Sequence, residues 1–383
     1  MPNKPNVIHS VLSWLPQTET WIYNQLHYLP ATVEAHVVCD KTENLDQFGW
    51  PLIHHLPRPS SWQARLEARL PRLKLPRRRR FIEGVARDTR ANLLHSHYGH
   101  QGWEDMGATR RTGLKHIVTF YGLDVNYLPN HKPVWRRRYG GLFARVDRIL
   151  CEGPHMARCL VKLGCPEDKI RVHHLGVTLE STAFRPRVWA PEQPLRVLIA
   201  ASFREKKGIP YALEALGRLS KDVAIEVTII GDANQEARSR LEKEKILATI
   251  QKHSLGVRML GYQPHRVLVA EAYKHHIFLS PSVTAADGDT EGGAPVSIIE
   301  MLASGMPVIS THHCDIPEVV KGSFDDFLAP ERDVEGLVAR LKALLELPCW
   351  EGRLRAGRRY IEEEYSAKAQ GLKLAALYGE LMR

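Results

Sequence analysis

The sequence DGDTEGGAPVSIIEMLASGMPVIS, residues 287–310, predicts an acidic glycine-rich loop, then a helix, then a buried strand. Pro295 suits the first position of the helix, where a backbone N–H is not needed. Gly305 suits the position just past the end of the helix, where φ is often positive. The predicted helix is therefore bounded at both ends.

This helix has an apolar face and a polar stripe, and Glu300 falls on the polar stripe with Ser297 and Ser304. Backbone N–H groups at a helix N-terminus favour an anion, so a diphosphate would fit beside the glycine-rich loop. Glu300 would lie roughly 7–8 Å further along the axis, where its carboxylate can hold the ribose of a nucleotide. The alternative is an ordinary exposed glutamate of an amphipathic helix.

The size and charge of the chain limit the classes of protein it can be. At 383 residues it exceeds the usual size of a single core, which predicts two domains. It has no run of about 18 apolar residues to span a bilayer, and its N-terminus leads into an apolar strand, so we expect a cytoplasmic protein. The six cysteines form no C-x-x-C pair, which argues against a zinc site or a disulfide framework. The net charge of +10 favours a nucleotide, a nucleic acid or an acidic membrane as partner.

Short apolar runs alternate with helical patterns along the chain, which predicts an α/β fold with parallel sheets. In the first half, strands are predicted at residues 7–12, 33–38, 51–55, 117–120, 146–151 and 170–172, and from residue 92. In the second half they are predicted at residues 195–201, 226–230, 257–260, 277–280 and 307–310. Residues 184–194 are the best linker, which divides the chain into domains at residues 1–185 and 186–366. Thr18 or Thr20 is predicted to cap the first helix.

Residues 65–80 form a dense basic cluster that includes Arg65, Arg69, Arg72, Lys74 and four consecutive arginines at residues 77–80. Interleaved leucines suit a segment lying on an anionic membrane, where each cation contributes on the order of 1 kcal/mol. A solvated helix face is the alternative. A nucleic-acid site is disfavoured because no aromatic stacking residues or recognisable binding motif accompany the cluster.

Polar side chains follow two predicted strands of the first half. The ligand crevice of a parallel sheet lies beyond the carboxyl ends of its strands, so His97, Tyr121 and Asp124 lie where chemistry can occur. Ordinary loop polar groups are the alternative. The pair His95 and His97 can bind a metal, but no third ligand stands at a recognisable spacing, so we predict no metal site.

A loop with cations follows the first strand of the second half. Arg204 and Lys207 precede a helix there, and cations at such a position can neutralise a phosphate. Neither half carries G-x-G-x-x-G after its first strand, which argues against a nicotinamide or flavin dehydrogenase.

Together these motifs resemble the retaining glycosyltransferases of family 4, and among them the exopolysaccharide or colanic-acid type. The resemblance is carried by residues 291–308 and 205–208 and, more weakly, by residues 164–170, 279–282 and 311–318. It implies the GT-B fold, which is two Rossmann-like domains facing each other across a cleft. It also implies that residues 367–383 return as a helix to complete the N-terminal domain.

The resemblance implies that the C-terminal domain binds a nucleotide-sugar, most often a UDP-sugar, and that the N-terminal domain holds the acceptor. The donor-binding residues it implies are Glu300, Gly292, Gly293, Ala294, Pro295, Ser202 and Tyr262. The catalytic residues it implies are Glu291, Lys207, Arg204, His97 and Tyr121, with Glu19 and Asp124 on the acceptor side. The two cations would stabilise the departing nucleotide, with no metal or other cofactor.

Three positions depart from the family pattern. The segment between Glu291 and Glu300 is one residue longer than usual, and Ala201-Ser202 stands where Gly-Arg is usual. Tyr121 occupies a turn that carries a histidine in many members, so either Tyr121 or His97 would contact the sugar.

The predicted activity is a metal-independent transfer of a hexose-type sugar to a hydroxyl of a lipid-linked or polysaccharide acceptor in cell-surface polysaccharide synthesis. Residues 65–80 would bind the inner face of the cytoplasmic membrane peripherally. A small soluble sugar or sugar-phosphate acceptor is the alternative. From another class, the alternative is a non-catalytic protein that binds nucleic acid or an anionic surface.

Overall fold

The computed structural model describes residues 4–16, 19–70, 74–180 and 182–383. The chain forms two compact units, unit 1 with residues 1–176 and 367–383, and unit 2 with residues 177–366. Each unit has its own parallel sheet and its own buried apolar core. Thr18, one of the two predicted helix caps, and Arg72 of the basic cluster lie outside the described residues, as does the side chain of Lys74.

The sheet of unit 1 has seven strands in the order β5-β3-β1-β6-β7-β8-β9, and all neighbouring strands are parallel. The strands of this unit are β1 (Asn6–Ser10), β2 (Ser13–Trp14), β3 (Glu34–Cys39), β4 (Lys41–Thr42), β5 (Ile53–His55), β6 (Leu93–His97), β7 (Lys115–Thr119), β8 (Arg148–Cys151) and β9 (Ile170–Val172). The two-residue strands β2 and β4 form a separate parallel pair. The helices are α1 (Thr20–His27), α2 (Ser61–Arg69), α3 (Lys74–Thr89), α4 (Gly99–Thr112), α5 (Leu128–His131), α6 (Val134–Phe143) and α7 (Pro154–Lys162), with a π-helical turn at Leu123–Tyr127.

The sheet of unit 2 has six parallel strands in the order β12-β11-β10-β13-β14-β15. These strands are β10 (Leu195–Ala200), β11 (Ile225–Ile230), β12 (Val257–Met259), β13 (Ile277–Ser280), β14 (Val308–Thr311) and β15 (Leu328–Ala329). The helices of this unit are α8 (Ile209–Leu219), α9 (Ala237–His253), α10 (His265–Ala272), α11 (Val296–Ala303), α12 (Ile316–Val319), α13 (Val334–Glu346) and α14 (Glu351–Glu364). The last helix of the chain, α15 (Ala367–Leu381), belongs to unit 1.

The strand order of both sheets is that of a doubly wound fold. The order reverses between β1 and β6 in unit 1 and between β10 and β13 in unit 2. Crevices for ligands form beyond the carboxyl ends of the strands at such reversals. The two expected sites are therefore the loops after β1 and β6 and the loops after β10 and β13.

Helix α15 completes the core of unit 1. Leu374 and Tyr378 are fully buried and pack in one cluster with Val7 of β1 and Leu93 of β6. Gly371 meets the backbone of the residue after α1, since a Cβ atom built on it would lie 2.1 Å from the carbonyl oxygen of Tyr28. The predicted return of the C-terminal helix to the N-terminal domain is confirmed.

The helix predicted after the glycine-rich loop forms as α11, which begins at Val296, one residue after the predicted start at Pro295, and Gly305 has a φ of +84°. The prediction that Ser304 lies on an exposed stripe with Glu300 is wrong, because Ser304 is buried. Its carbonyl oxygen accepts hydrogen bonds from the backbone of Arg185 and from the guanidinium of Arg187, both at 3.0 Å. The linker therefore covers the end of α11, where cations are favoured.

The predicted basic cluster does not form one surface. The side chain of Arg78 is only 2% exposed and forms ion pairs with Asp40 and with Asp105, the latter at 3.4 Å. Its guanidinium also donates to Ser10 at 2.8 Å. Arg78 therefore holds α3 to the sheet and is available neither to a membrane nor to solvent.

Within the described part of the chain, no helix is both long and apolar enough to cross a membrane. None of the six cysteines, all of which lie among the described residues, forms a disulfide bond.

Candidate functional site

A buried carboxylate and a lysine meet beyond the carboxyl ends of β10 and β13 in unit 2. The Nζ atom of Lys207, in the loop after β10, lies 2.7 Å from Oε2 of Glu291. The other oxygen of Glu291 accepts a hydrogen bond of 2.9 Å from Ser282, which follows β13. The structure thus brings together Glu291 and Lys207, which lie far apart in the sequence.

The carboxyl group of Glu291 is held in its ionised form. Burial alone would raise its pKa, but the charges of Lys207 and Lys206 and the hydrogen bond from Lys207 outweigh burial and lower the pKa of Glu291 to about 2. Glu291 is therefore a charged hydrogen-bond acceptor at neutral pH and not a proton donor.

A second carboxylate holds the other cations of the loop. Asp289 is buried, and its oxygens lie 2.7 Å from Nη2 of Arg204 and 3.3 Å from Nζ of Lys206. The cluster thus contains three cations, Arg204, Lys206 and Lys207, and only two carboxylates, Asp289 and Glu291. Glu205 and Asp287 of the same two loops form ion pairs with Arg332 at 3.8 Å and with Arg238 at 3.0 Å, so an anion that binds here must compete with Asp289 and Glu291 for the three cations.

The glycine-rich loop places backbone N–H groups beside this cluster. The amide of Gly292 donates to Thr290 at 3.2 Å. In the described part of the chain, no acceptor is found for the amides of Gly293 and Ala294, although Gly293 is buried. Pro295 then precedes the first residue of α11. Unpaired amides at a helix N-terminus are suited to phosphate oxygens.

The remaining predicted donor residues lie around the same edge. Oε1 of Glu300 is 2.8 Å from Nε2 of His265, and this hydrogen bond raises the pKa of His265. Ser202 is partly buried in the loop after β10, and Tyr262 follows β12 with 53% of its surface exposed. Glu300 is thus not a free carboxylate, because it already has a partner on α10.

Two residues that sequence reasoning missed hold Glu291 in place. The backbone N–H of Glu291 donates to Nε2 of His313 at 3.1 Å, and Nδ1 of His313 lies 2.6 Å from Glu331. The second contact places the proton of His313 on Nδ1, which leaves Nε2 as the acceptor. The family-like segment at residues 311–318 contains His313, but only the fold shows which atom it contacts.

In unit 1, four of the side chains around the ends of β6 and β7 form one contiguous group. Nδ1 of His97 lies 2.8 Å from the hydroxyl of Tyr121, and both side chains are buried. The ring of Tyr98 lies 4.6 Å from that of Tyr121, and its hydroxyl donates to Glu19 at 2.9 Å. Burial raises the pKa of Glu19 despite this hydrogen bond. The structure therefore brings together the predicted residues Glu19, His97 and Tyr121.

Asp124 has a different environment from the one expected of an acceptor-binding residue. Its side chain is fully buried, and its two oxygens accept from the backbone N–H of Gly99 at 2.5 Å and of Tyr121 at 2.8 Å. Burial raises the pKa of Asp124 to about 7, although these hydrogen bonds act in the opposite direction. We assign Asp124 to positioning the turn that carries Tyr121.

A third histidine joins the predicted pair His95 and His97. Ring nitrogens of His9, His95 and His97 all lie within 4.8 Å of one another, and the three side chains are fully buried. Burial lowers the pKa of His97 to about 3, so its imidazole is neutral. Neutral imidazoles are candidate metal ligands. The sequence did not reveal the third member because His9 comes from β1.

The same histidines are linked by hydrogen bonds in this structure. Nε2 of His97 lies 3.1 Å from Nδ1 of His9, and Nδ1 of His95 lies 2.7 Å from the hydroxyl of Tyr378 on α15. That hydroxyl is also 3.4 Å from His9, and His97 contacts Tyr121. The chain of contacts satisfies these polar groups without an ion and connects α15 to Tyr121.

Comparison with known proteins places both halves of the chain among glycosyl-transferring enzymes. Residues 181–363 match the family described as Glycosyl transferases group 1, and residues 18–181 match Glycosyltransferase Family 4. Over 306 residues the chain is 34% identical to WcaL of Escherichia coli K12, a glycosyltransferase named for colanic acid biosynthesis, with 76% of this chain and 71% of the relative covered. It is 35% identical over 236 residues to the amylovoran biosynthesis glycosyltransferase AmsK of Erwinia amylovora, with 60% and 55% covered.

Solved structures show the same architecture. A glycosyltransferase from Rickettsia africae ESF-5 superposes with a TM-score of 0.78 at 17% identity, covering 100% of this chain and 99% of that one. Anabaena HepE in complex with UDP-glucose superposes with a TM-score of 0.77 at 13% identity, covering 98% and 99%. These likenesses confirm the predicted GT-B fold.

Proposed function

Because the chain belongs to the group 1 and family 4 glycosyltransferases, we propose that it transfers a hexose-type sugar from a UDP-sugar in exopolysaccharide synthesis, with retention of the anomeric configuration. The relatives named for colanic acid and amylovoran biosynthesis support the process. The structure of a neighbour that holds UDP-glucose supports the donor. The proposed acceptor is a hydroxyl of a lipid-linked or polysaccharide glycan.

One observation supports the donor site above all others: the cations Arg204, Lys206 and Lys207 are gathered beside a helix N-terminus, where the described residues provide no acceptor for the amides of Gly293 and Ala294. We infer that the amides of Gly293 and Ala294 receive the diphosphate and that Lys207 and Arg204 share their charge with it. Glu300 would hold the ribose after exchanging its contact with His265. Ser202 and Tyr262 would line the nucleotide on the sides of β10 and β12.

The proposed reaction breaks the bond between the sugar C1 and the β-phosphate oxygen and forms a bond between C1 and an acceptor oxygen. The hydroxyl proton leaves with the departing phosphate, so the products are UDP and the glycoside. Negative charge develops on the β-phosphate during this step. Lys207 and Arg204 lower the barrier only to the extent that they interact more strongly with the transition state than with the bound UDP-sugar. Glu291, which stays ionised, is suited to accept a hydrogen bond from the sugar or to stabilise positive charge at C1.

The test is the release of UDP from a panel of UDP-sugars, with and without EDTA. We expect activity to persist in EDTA and to fall at least 100-fold in Lys207→Ala, because one charge-stabilising group commonly supplies that factor. Lys342→Ala is the matched control, because Lys342 forms an exposed ion pair with Asp222 at 2.7 Å in the same unit. Loss of activity in EDTA, or equal activity of Lys207→Ala and the control, would contradict the proposal.

Unit 1 is proposed to hold the acceptor, with Glu19, Tyr98, His97 and Tyr121 at its carboxyl edge. The expected signature of this role is a defect that depends on the acceptor. Glu19→Gln should reduce transfer to the glycan acceptor while leaving UDP affinity unchanged. A reduced UDP affinity in this variant would contradict the assignment.

Helix α2 carries the proposed peripheral contact with a membrane. Trp62 and Leu66 are 65% and 40% exposed and lie four residues apart on one face of α2, next to the exposed Arg65 and Arg69, and Leu70, which is 54% exposed, follows the last residue of the helix. Large exposed apolar side chains beside cations suit an anionic bilayer surface. The proposed membrane contact therefore lies on α2 and not on the four arginines at residues 77–80, because Arg78 is buried.

Sedimentation with phosphatidylglycerol vesicles tests the membrane contact. Trp62→Ser with Leu66→Ser should abolish co-sedimentation, whereas Leu241→Ser with Leu247→Ser should not, since Leu241 and Leu247 are 56% and 45% exposed on α9 of unit 2. Full transfer to a soluble acceptor by a chain that never binds vesicles would favour the soluble-acceptor alternative.

A further inference from the structure

A small cavity opens at the amino edge of the sheet of unit 2, and we call it the linker pocket. Its volume is about 290 Å³, and its wall includes Arg185, Arg187, Arg196, Tyr273, Lys274 and His276. Arg196 is the second residue of β10, and His276 directly precedes β13. Because all strands of this sheet are parallel, the linker pocket lies at the opposite edge from the proposed donor site.

Among the described residues, the wall of the linker pocket carries four basic side chains, those of Arg185, Arg187, Arg196 and Lys274, and no aspartate or glutamate. Lys274 has an ion-pair partner, Glu271, at 3.0 Å. Within the described residues, no carboxylate forms an ion pair with Arg185, Arg187 or Arg196. Like charges without counter-charges repel one another, so an anion in the pocket would stabilise this arrangement.

The buried arginine fixes part of this charge. Arg187 is 7% exposed, and its guanidinium donates to the carbonyl oxygens of Ser304 at 3.0 Å, Ala272 at 3.1 Å and His275 at 3.2 Å. Burial, together with the charge of Arg185, lowers the pKa of Arg187 to about 10, so it remains charged at neutral pH. Its hydrogen bonds go to backbone carbonyl oxygens and to the hydroxyl of Ser304, so Arg187 supplies a fixed charge and few free donors.

The exposed arginine supplies the free donors. The guanidinium of Arg185 lies 5.0 Å from the centre of the Tyr273 ring, and that of Arg187 lies 4.7 Å from it. In the described part of the chain, no hydrogen bond is found from the guanidinium of Arg185. A stacked guanidinium with free N–H groups is set in place to bind a planar or tetrahedral oxyanion through two parallel hydrogen bonds.

We propose that the linker pocket is a second anion site, which binds a phosphate group carried by a small molecule or a lipid headgroup. Fixed cations favour phosphate over a neutral ligand, and the Arg185 fork suits its oxygens. The cavity is at the lower limit of ligand pockets, which fits a phosphoryl group with a short organic part better than a whole nucleotide-sugar. The inference rests on the geometry of unit 2 and does not depend on the proposed transfer reaction.

Calorimetric titration with inorganic pyrophosphate tests the site. The parent carries Lys207→Ala and Arg204→Ala, so that the donor edge contributes little. Adding Arg185→Gln and Lys274→Gln should weaken binding at least tenfold, because both side chains are exposed donors. Adding Arg340→Gln should not, because Arg340 is an exposed cation of α13 away from the pocket.

Equal affinity of the pocket variant and the Arg340→Gln control would overturn the proposal, as would the absence of saturable binding to the parent. Arg185→Lys provides a second check: it keeps the charge but loses the fork, so it should bind pyrophosphate with an intermediate affinity. Failure here leaves the UDP-release test unaffected, so the two proposals fail separately.

Vesicles distinguish the two sources of phosphate. In a chain that carries Trp62→Ser and Leu66→Ser, co-sedimentation with phosphatidic acid vesicles but not with phosphatidylcholine vesicles would identify a lipid headgroup, provided that Arg185→Gln with Lys274→Gln abolishes it. Pyrophosphate binding without vesicle binding would identify a soluble phosphate ester. Vesicle binding that is unchanged in the pocket variant, together with unchanged pyrophosphate binding, would exclude both.

Discussion

Glu291 shows how a single residue combines stability with the proposed chemistry. Its carboxylate is 6% exposed and would be costly to bury alone, but Lys207 and Ser282 bind its two oxygens. His313 fixes its backbone at the same time. A ligand that draws Lys207 away must therefore offer Glu291 a new partner, and a sugar hydroxyl provides one.

The charge of Glu291 makes the stability of the chain depend on pH in acid. The folded state lowers the pKa of Glu291 from 4.5 to about 2, so its contribution is present above pH 4.5 and is lost as the pH falls towards 2. Glu291→Gln should therefore be less stable than the parent at pH 6, and the difference should shrink between pH 5 and pH 3. Urea unfolding at several pH values measures this.

Glu335→Gln is the control for that experiment, because the side chain of Glu335 is 78% exposed in its ion pair with Arg218. A difference between Glu291→Gln and the parent that stays constant from pH 6 to pH 3 would show that Glu291 is not ionised in the way described.

The contact between His265 and Glu300 predicts that donor affinity depends on pH near neutrality. The hydrogen bond to Glu300 raises the pKa of His265 above 6.5, so the charged contact is complete below pH 6.5 and is lost as the pH rises through the raised value. UDP should therefore bind His265→Gln about two- to fivefold more tightly than the parent at pH 6, because an exposed ion pair contributes about 0.5–1 kcal/mol. At pH 9 the two affinities should converge.

Affinities of parent and variant are compared at each pH, so the titration of UDP itself cancels. A ratio of affinities that does not change between pH 6 and pH 9 would mean that the ribose does not compete with His265 for Glu300.

At the scale of elements, the loop between β10 and α8 is held close to the end of β13 by a glycine. Gly208 has a φ of +63°, and a Cβ atom at this position would lie 1.8 Å from the carbonyl oxygen of Pro281. Gly208→Ala should therefore displace the loop that carries Lys207, lower stability by more than about 1 kcal/mol and reduce UDP release. Gly256→Ala is the matched control, because nothing lies within 4 Å of its Cβ position. Equal midpoint temperatures of thermal unfolding for Gly208→Ala and Gly256→Ala would contradict the prediction that a Cβ atom at position 208 strains the loop.

Elements with strong local signals were predictable from the sequence, whereas contacts between distant elements were not. Pro295 and Gly305 mark the limits of α11, and the long buried strands gave continuous apolar runs. The two-residue strands β2, β4 and β15 are too short for a periodic pattern. The burial of Arg78 and the approach of His9 to His97 depend on the register of strands far apart in sequence, which composition does not encode.

The same distinction applies to the candidate site. Glu291, Lys207 and Arg204 follow strand ends and were identified from loops rich in charge and glycine. Asp289 stood in the same acidic loop, but its ion pair with Arg204 is a tertiary contact at 2.7 Å. Three members of the cluster, Glu291, Lys207 and Arg204, were therefore predicted from the sequence, whereas the roles of Asp289 and Lys206 and the pairing of the charges were not.

At the scale of the whole molecule, the proposed donor site lies entirely within residues 177–366, and this unit has its own apolar core. A fragment of residues 177–366 should therefore fold and bind UDP as tightly as the full chain. A chain that ends at residue 366 lacks α15, whose Leu374 and Tyr378 are buried against β1 and β6 in the full chain. Removing two large buried side chains costs about 3–5 kcal/mol each, so unit 1 of that chain should unfold before unit 2. For the chain that ends at residue 366, we expect two calorimetric unfolding transitions, and UDP should raise the midpoint temperature of only the later one. A single transition in this chain, or a fragment of residues 177–366 that fails to bind UDP, would show that the donor site needs unit 1.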